Sequence, residues 1–399
     1  MKVPFGTITV TESARRRITE ALDSGRLTQG RFVRELEERF AGLCGVKHAV
    51  AVSSGADALT LALAALHDRG ARPGDEVIVP ALSFAATGNA VLAARFKPVF
   101  VDVRRDTLNI DPDMIEAAVT ERTRAIVAAH LMGKPADMDR INEIAERHGL
   151  FVVEDAAEAH GALYKGRPAG SLGRAAAFSL YAAHAVSAVE GGVITTNDED
   201  LARILRSLRA HGRACDCAEC VLSAAGEPCP RRFETEGGQD IRFHFPRIGY
   251  SSKMNELEAA VGLGCLDVYE EISARRRENI GYALSQFSRL APHLYTIREE
   301  PWETIGPHAL PIILSEKAPF GRAELARRLE ENGVETRTLF ESMPTQCPGF
   351  AFLGYRPGDF PEAEYLGRRG LHVGVHQDLG TRHMEHVIST LARFLETRP

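Results

Sequence analysis

Short runs of Val, Ile and Ala alternate with longer helical patterns over the first 150 residues, and that alternation admits few folds. Residues 48–53, 76–80, 98–103, 125–129 and 150–154 read as strands, and residues 56–66, 85–94, 112–119 and 138–148 as the helices between them. A strand that is apolar along its whole length, rather than at every second position, is buried on both faces. Helices must therefore cover both sides of a mostly parallel sheet, the α/β class. Beyond Asp155 shorter strands are expected at 175–180 and 193–196, then a helix at 199–210. From Met254 one long helical pattern runs to about Phe287. The expected organisation is a large domain over residues 1–288, broken by an insertion at about 211–250, and a smaller α+β domain over 289–399.

Composition narrows the function. Hydrophobic residues make up 44% and charged residues 26% of the 399, a globular balance that excludes a disordered or fibrous chain. The formal net charge of −6 leaves no basic footprint for nucleic acid or an anionic membrane. No apolar run is long enough to cross a bilayer, and MKVPFGTITVTES lacks a signal-peptide core, so a cytoplasmic protein is expected. In that setting seven cysteines point to metal or redox chemistry rather than to disulfides.

Three features fall at the C-terminal ends of the expected strands, where open parallel sheets bind ligands. The first is Ser53-Ser54-Gly55-Ala56-Asp57. Glycine lets a ligand approach the backbone, and the amides at a helix start favour a phosphate, although an ordinary helix cap by Ser54 or Asp57 would look the same. The second is Asp155, which could hold a protonated ring nitrogen or simply cap a turn. The third is Phe178-Ser179-Leu180-Tyr181-Ala182-Ala183-His184, followed by Glu190-Gly191-Gly192.

With these features stand PALSFAATGNAV, VVEDAAEAHGALYKGRPAGSLG, FSLYAAHAVSAVEGG and GYSSKMNELEAA, and in this order the chain resembles the DegT/DnrJ/EryC1/StrS sugar aminotransferase family over nearly its full length. The resemblance implies the pyridoxal-phosphate-dependent transferase fold of type I, a mostly parallel seven-stranded sheet sandwiched by helices. It implies phosphate contacts from Gly55, Ala56 and Ser179, ring stacking by Phe84, and a ring-nitrogen partner in Asp155. Glu158 stands where the family has glutamine near the ring hydroxyl. Ser251 replaces the asparagine of a segment that, in the family, reaches the neighbouring subunit's cofactor, so a homodimer with shared sites is expected.

The family's Schiff-base lysine would fall at position 184, which here is His184. Lys134 and Lys165 do not match that motif position. An imidazole cannot form the imine that lysine makes with the cofactor aldehyde, so ordinary transamination is not expected. Histidine can still serve as a general base near neutral pH. The substitution resembles the 3-dehydratase branch, in which pyridoxamine phosphate condenses with the C4 ketone of a nucleotide-linked 4-keto-6-deoxy sugar. Through that ketimine the histidine removes a C4′ proton and the C3 hydroxyl is expelled. The rival from another class is a catalytically silent cofactor-binding subunit. Arg337 and His376 are candidates for meeting the substrate.

Cys215, Cys217, Cys220 and Cys229 form a C-x-C-x2-C-x8-C set, expected to be a metal site. Four thiolates suit zinc as well as iron–sulfur. The place of the insertion resembles the branch of CDP-4-keto-6-deoxyglucose 3-dehydrase, which implies a [2Fe–2S] cluster fed by a separate flavin reductase. One cluster ligand of that branch is a cysteine beside the cofactor aspartate, where this chain has Ala157, so all four ligands would be local. The alternative is a glutamate-recharged dehydratase with structural zinc. Cys44, Cys265 and Cys347 read as packed thiols.

Overall fold

The computed structural model describes residues 1–396 except Glu219, residues 222–226 and Glu236. Seven strands make the central sheet: β1 (His48–Val52), β2 (Glu76–Pro80), β3 (Lys97–Val101), β4 (Thr123–Ala129), β5 (Phe151–Asp155), β6 (Ala175–Ser179) and β7 (Gly192–Thr196). Their spatial order is β1-β7-β6-β5-β4-β2-β3. The pairs β2–β3, β2–β4, β4–β5 and β5–β6 are parallel, and β7 alone runs against both its neighbours. All of β2 and β7 is buried, as strands covered on both faces must be. Helix Gly55–Ala64 buries Leu59, Leu61 and Leu63 against the sheet, and each such side chain contributes about 1.5–3 kcal/mol.

Two N-terminal helices, Glu12–Asp23 and Arg31–Cys44, were not foreseen in the alternating pattern. The second starts at Gly30, which has no side chain to cap it. The Glu256 carboxylate takes over, accepting the amides of Gly30, Phe32 and Val33 at 2.9 Å each.

The single helix expected from 254 to 287 is two helices, Glu256–Asp267 and Tyr269–Gln286, broken at Val268 (φ −120°, ψ 18°). The reason lies in what each half covers. Glu256–Asp267 packs on the two N-terminal helices, while Tyr269–Gln286 packs on the C-terminal helix Thr381–Glu396. One straight rod could not serve both.

The smaller sheet is antiparallel: β8 (Leu294–Tyr295), β9 (Ala309–Leu314), β10 (Thr336–Thr338) and β11 (Gly370–Gly374), in the order β8-β9-β11-β10. The start of the chain lies against it, Val3 bridging Val334 and the Phe5 amide donating to Glu335 at 2.9 Å. Between the sheets, Glu303–Thr304 pairs with Leu163–Tyr164 and fixes the segment leading to His308.

The insertion is built differently. Among its described residues only Ile241 is a buried apolar side chain. Charge holds the rest: Asp240 takes Arg232 and Arg242 (each Nε–Oδ 2.9 Å), Asp216 takes Arg203 at 3.0 Å, and Arg247 reaches Asp68 at 2.7 Å. No helix among the described residues is long and apolar enough to cross a membrane.

Candidate active site

The ends of β1, β5 and β6 open on a cavity of about 610 Å³. Gly55, Ala56, Phe84, Asp155, Glu158, Ser179 and His184 all line it, as does Arg337. Glycines let the helix start after β1 pack closely on the ends of β6 and β7. A Cβ on Gly55 would sit 2.6 Å from that of Ser179, and one on Gly192 would collide with the Ser54 carbonyl. Ser54 caps helix Gly55–Ala64 through the Asp57 amide (3.0 Å), leaving the amides of Gly55 and Ala56 at the helix start. Phe84 stands 61% exposed at the mouth, edge-on to Phe340 with ring centroids 5.5 Å apart.

Asp155 is a carboxylate without a basic side chain bonded to it. Its donors are the Thr87 hydroxyl at 2.7 Å and the Ala157 amide at 3.4 Å. Burial raises its pKa, and those two bonds only partly oppose the rise. Such a group calls for a cationic N–H from a ligand.

Glu158 is better satisfied. It accepts the Met132 amide at 2.7 Å and faces His308 Nε2 at 3.3 Å. Burial pushes its pKa up, but His308 and the amide outweigh that and leave it lowered. The approach depends on local backbone. Met132 has φ +55°, and the following Gly133 packs so tightly on the Gly306 carbonyl that any side chain would clash. This contact brings the chain before His308 to the cavity.

His184 lies on a turn closed by its own amide on the Tyr181 carbonyl at 3.0 Å. Its ring is 5.2 Å from His308 and 5.9 Å from His160, and its Nδ1 has no hydrogen-bond partner. Burial first, then His308, His160, Arg276 and Arg337, hold it well below the ordinary histidine range, so it is the free base at neutral pH. His160 and His372, both buried, are pushed down to about 3, chiefly by desolvation.

No lysine lines the cavity among the described residues. Lys134 is buried against Glu303 and the Arg298 carbonyl, and Lys165 pairs with Asp139. The donors present suit a pyridoxal- or pyridoxamine-type phosphate: amides at a helix start beside Ser179, an aromatic face, a carboxylate lacking its cation, and an unpartnered imidazole.

Other expected residues lie elsewhere. Ser251 is exposed in a bridge to Ala210, outside this cavity. His376 turns its Nε2 to the Pro4 carbonyl at 3.1 Å. Cys215, Cys217 and Cys220 line a separate cavity of about 940 Å³ among Arg206, Arg209, Arg213, Arg242 and Lys253, and Cys229 does not line it. None of the seven cysteines is in a disulfide. Arg231 donates to Cys217 Sγ at 3.4 Å, and burial with Cys217 nearby raises the Cys215 thiol to about 11. Among the described residues no three His, Cys, Asp or Glu side chains are grouped to hold a metal ion. The four expected ligands therefore do not form one donor set here: Cys215 interacts with Cys217 and Cys220, while Cys229 lies outside their cavity.

Sequence reasoning missed His160, His308 and His372. Each is a lone histidine in its own segment, and only the fold makes them neighbours. The sole trace is a histidine directly before the apolar run of β9.

Comparison with known proteins adds the following. The model of the DegT/DnrJ/EryC1/StrS aminotransferase family matches residues 9–392. GDP-perosamine synthase of Caulobacter vibrioides is 37% identical over 385 residues, covering 95% of this chain and 94% of that protein. The dTDP-4-dehydro-2,6-dideoxy-D-glucose 3-dehydratase of Saccharopolyspora spinosa is 36% identical over 407 residues, covering 98% and 86%. Among solved structures, a histidine-to-asparagine variant of GDP-4-keto-6-deoxymannose-3-dehydratase with bound GDP-perosamine superposes with a TM-score of 0.87. It is 29% identical, and the match covers 98% of this chain and all of that one.

Proposed function

Because the chain belongs to the DegT/DnrJ/EryC1/StrS aminotransferase family, we propose that it is a pyridoxal/pyridoxamine-phosphate enzyme that dehydrates a nucleotide-linked 4-keto-6-deoxy sugar at C3, with His184 as its base. One observation carries the choice of dehydration over transamination. The cavity presents His184 and no lysine among its lining residues. Relatives named for GDP- and dTDP-linked sugars support the substrate class.

The residues divide the work. Gly55 and Ala56 amides with Ser179 hold the phosphate. Phe84 covers one face of the ring, and Asp155 accepts the ring-nitrogen proton. The cofactor, when bound, supplies an amine for the sugar ketone and an electron sink for the bond that breaks. His184, kept neutral, takes the proton from the C4′ methylene. The Glu158–His308 pair places a second hydrogen-bonding group within the cavity. Arg337, exposed and without an ion-pair partner among the described residues, is the cation offered to the substrate's phosphates. In a cytoplasmic homodimer, Ser251 reaches towards the neighbouring subunit's cofactor.

Reduction after dehydration would need a [2Fe–2S] cluster and a flavin reductase. The gathering of Cys215, Cys217 and Cys220 favours that extension, but the four-thiol set does not fit a closed site, cluster or zinc, in this arrangement. Glutamate recharging is the simpler completion. Iron, acid-labile sulfide and zinc content of anaerobically purified protein separate the two.

The test of the main proposal is His184→Asn. It should bind pyridoxamine phosphate with parent affinity yet lose solvent-hydrogen exchange at C4′ by about 100-fold or more. Exchange at the parent rate would remove His184 from the role.

A further inference from the structure

Arg276 is wholly buried in helix Tyr269–Gln286 and, among the described residues, forms no ion pair with a carboxylate. Its donors all meet neutral oxygens. Nε reaches Gln377 Oε1 at 2.8 Å, and Nη1 reaches the Pro307 carbonyl at 3.4 Å. Nη2 reaches the carbonyls of Ala183 and His184 at 3.5 and 3.3 Å. The next carbonyl, that of Ala185, accepts from the buried thiol of Cys265 at 3.5 Å. Three consecutive carbonyls at the His184 turn are thus held from two adjoining helices. The same guanidinium holds the residue before His308 and the residue after His376.

We infer that Arg276 is a positioning residue for the reaction proposed above, on which the inference rests: its buried fork fixes both the backbone carrying His184 and the backbone entering His308, and so sets the separation of the two imidazoles. It does not line the cavity, so it does not act by touching the ligand. A planar fork suits the task, since one rigid group reaches carbonyls on two segments at once, which an ammonium cannot reproduce. A buried cation lacking a carboxylate is costly, and burial lowers this one to about 10, still charged at neutral pH. The charge has a second effect. His184 is faced by Tyr181 on its own turn, His160 from the segment after β5, His308 and Arg337 from the small domain, and Arg276 from below. Glu158 counters His308, and Asp378 acts on Arg276 electrostatically without forming an ion pair with it, so this cation still favours the neutral form of His184.

The test compares Arg276→Lys and Arg276→Met in the full-length chain. Deuterium exchange of the 181–186 amides, and histidine NMR titration with His184 assigned through His184→Asn, are read without cofactor. Affinity for pyridoxamine phosphate and exchange at C4′ follow. Arg276→Lys should speed amide exchange in the turn and slow C4′ exchange, each by at least about 10-fold, with affinity within about threefold of the parent. Arg276→Met should in addition move the His184 midpoint up, towards the ordinary histidine range. Parent-like protection of the turn in both variants, with an unmoved His184 midpoint, would overturn the inference. If Arg276→Met does not fold, Arg276→Lys decides alone: parent-like protection overturns the inference, and loss of protection supports it. Protection and titration need no turnover, so failure of the dehydration proposal would be seen separately, in the sugar assay.

Discussion

The cofactor cavity and the cysteine insertion are both polar and both rich in chemistry, yet they are built in opposite ways. The cavity is made of strand ends resting on an apolar core, and its polar groups are held by bonds to backbone or by bonded backbone, as at Glu158 and at the His184 turn. The insertion has one buried apolar side chain among its described residues and is held by arginine–aspartate pairs near solvent. A core fixes the positions of groups whether or not a ligand is present. Surface charge pairs fix them weakly and depend on salt. The groups of the cavity are therefore fixed more firmly than those of the insertion.

The largest effect that sharpens this contrast is expected at Asp155. Asp155→Asn keeps the size and the Thr87 contact but loses the charge, and turnover should fall by about 100-fold or more. The unloaded protein should not melt lower, because a buried carboxylate lacking a cation is itself unfavourable. Thermal melts with and without pyridoxamine phosphate check both halves, and a large loss of stability in the unloaded variant would contradict a firmly fixed site.

Acid should act next. His160 and His372 are held to about 3, whereas unfolded histidine titrates near 6.5. The unfolded chain therefore binds more protons between those values. Stability from this source is complete above about pH 6.5 and falls as pH drops towards 3. Urea midpoints measured across that window should decline, and less steeply in a His372→Gln variant. The insertion's Asp240, kept far below the usual carboxylate range by Arg242, should hold its pairs through the same window.

The smallest effect belongs to the insertion itself. Asp216→Asn removes the partner of Arg203 and Arg231. Proteolysis of residues 211–250 should quicken at low salt and match the parent at high salt, while cofactor affinity stays unchanged. A loss of cofactor affinity would show the two regions to be coupled.

How much could be read beforehand follows the same division. The strands β1 to β7 were legible because each carries a short apolar run at its centre. The cavity-lining set Gly55, Ala56, Asp155, Glu158, Ser179 and His184 was legible because strand ends are short, local motifs. The N-terminal helices were hidden by their many charged residues, although Phe32, Val33, Leu36 and Phe40 keep the helical spacing of a buried face. His308, His372 and Arg276 could not be read, since each gains its meaning from partners more than 30 residues away. Cys265, read as a packed thiol, proved to be one that also holds a carbonyl of the His184 turn.

The two walls of the cavity differ in what they can tolerate. The wall of strand ends is locked by glycines at 55 and 192, where any side chain would collide with Ser179 or Ser54. The facing wall, formed by Arg337, Thr338, Phe340 and His372, comes from a separate sheet and carries side chains rather than tight backbone crossings. Inheritance can thus keep one half of the site while redrafting the other, so that a lineage acquires new sugars without relearning how to hold its coenzyme.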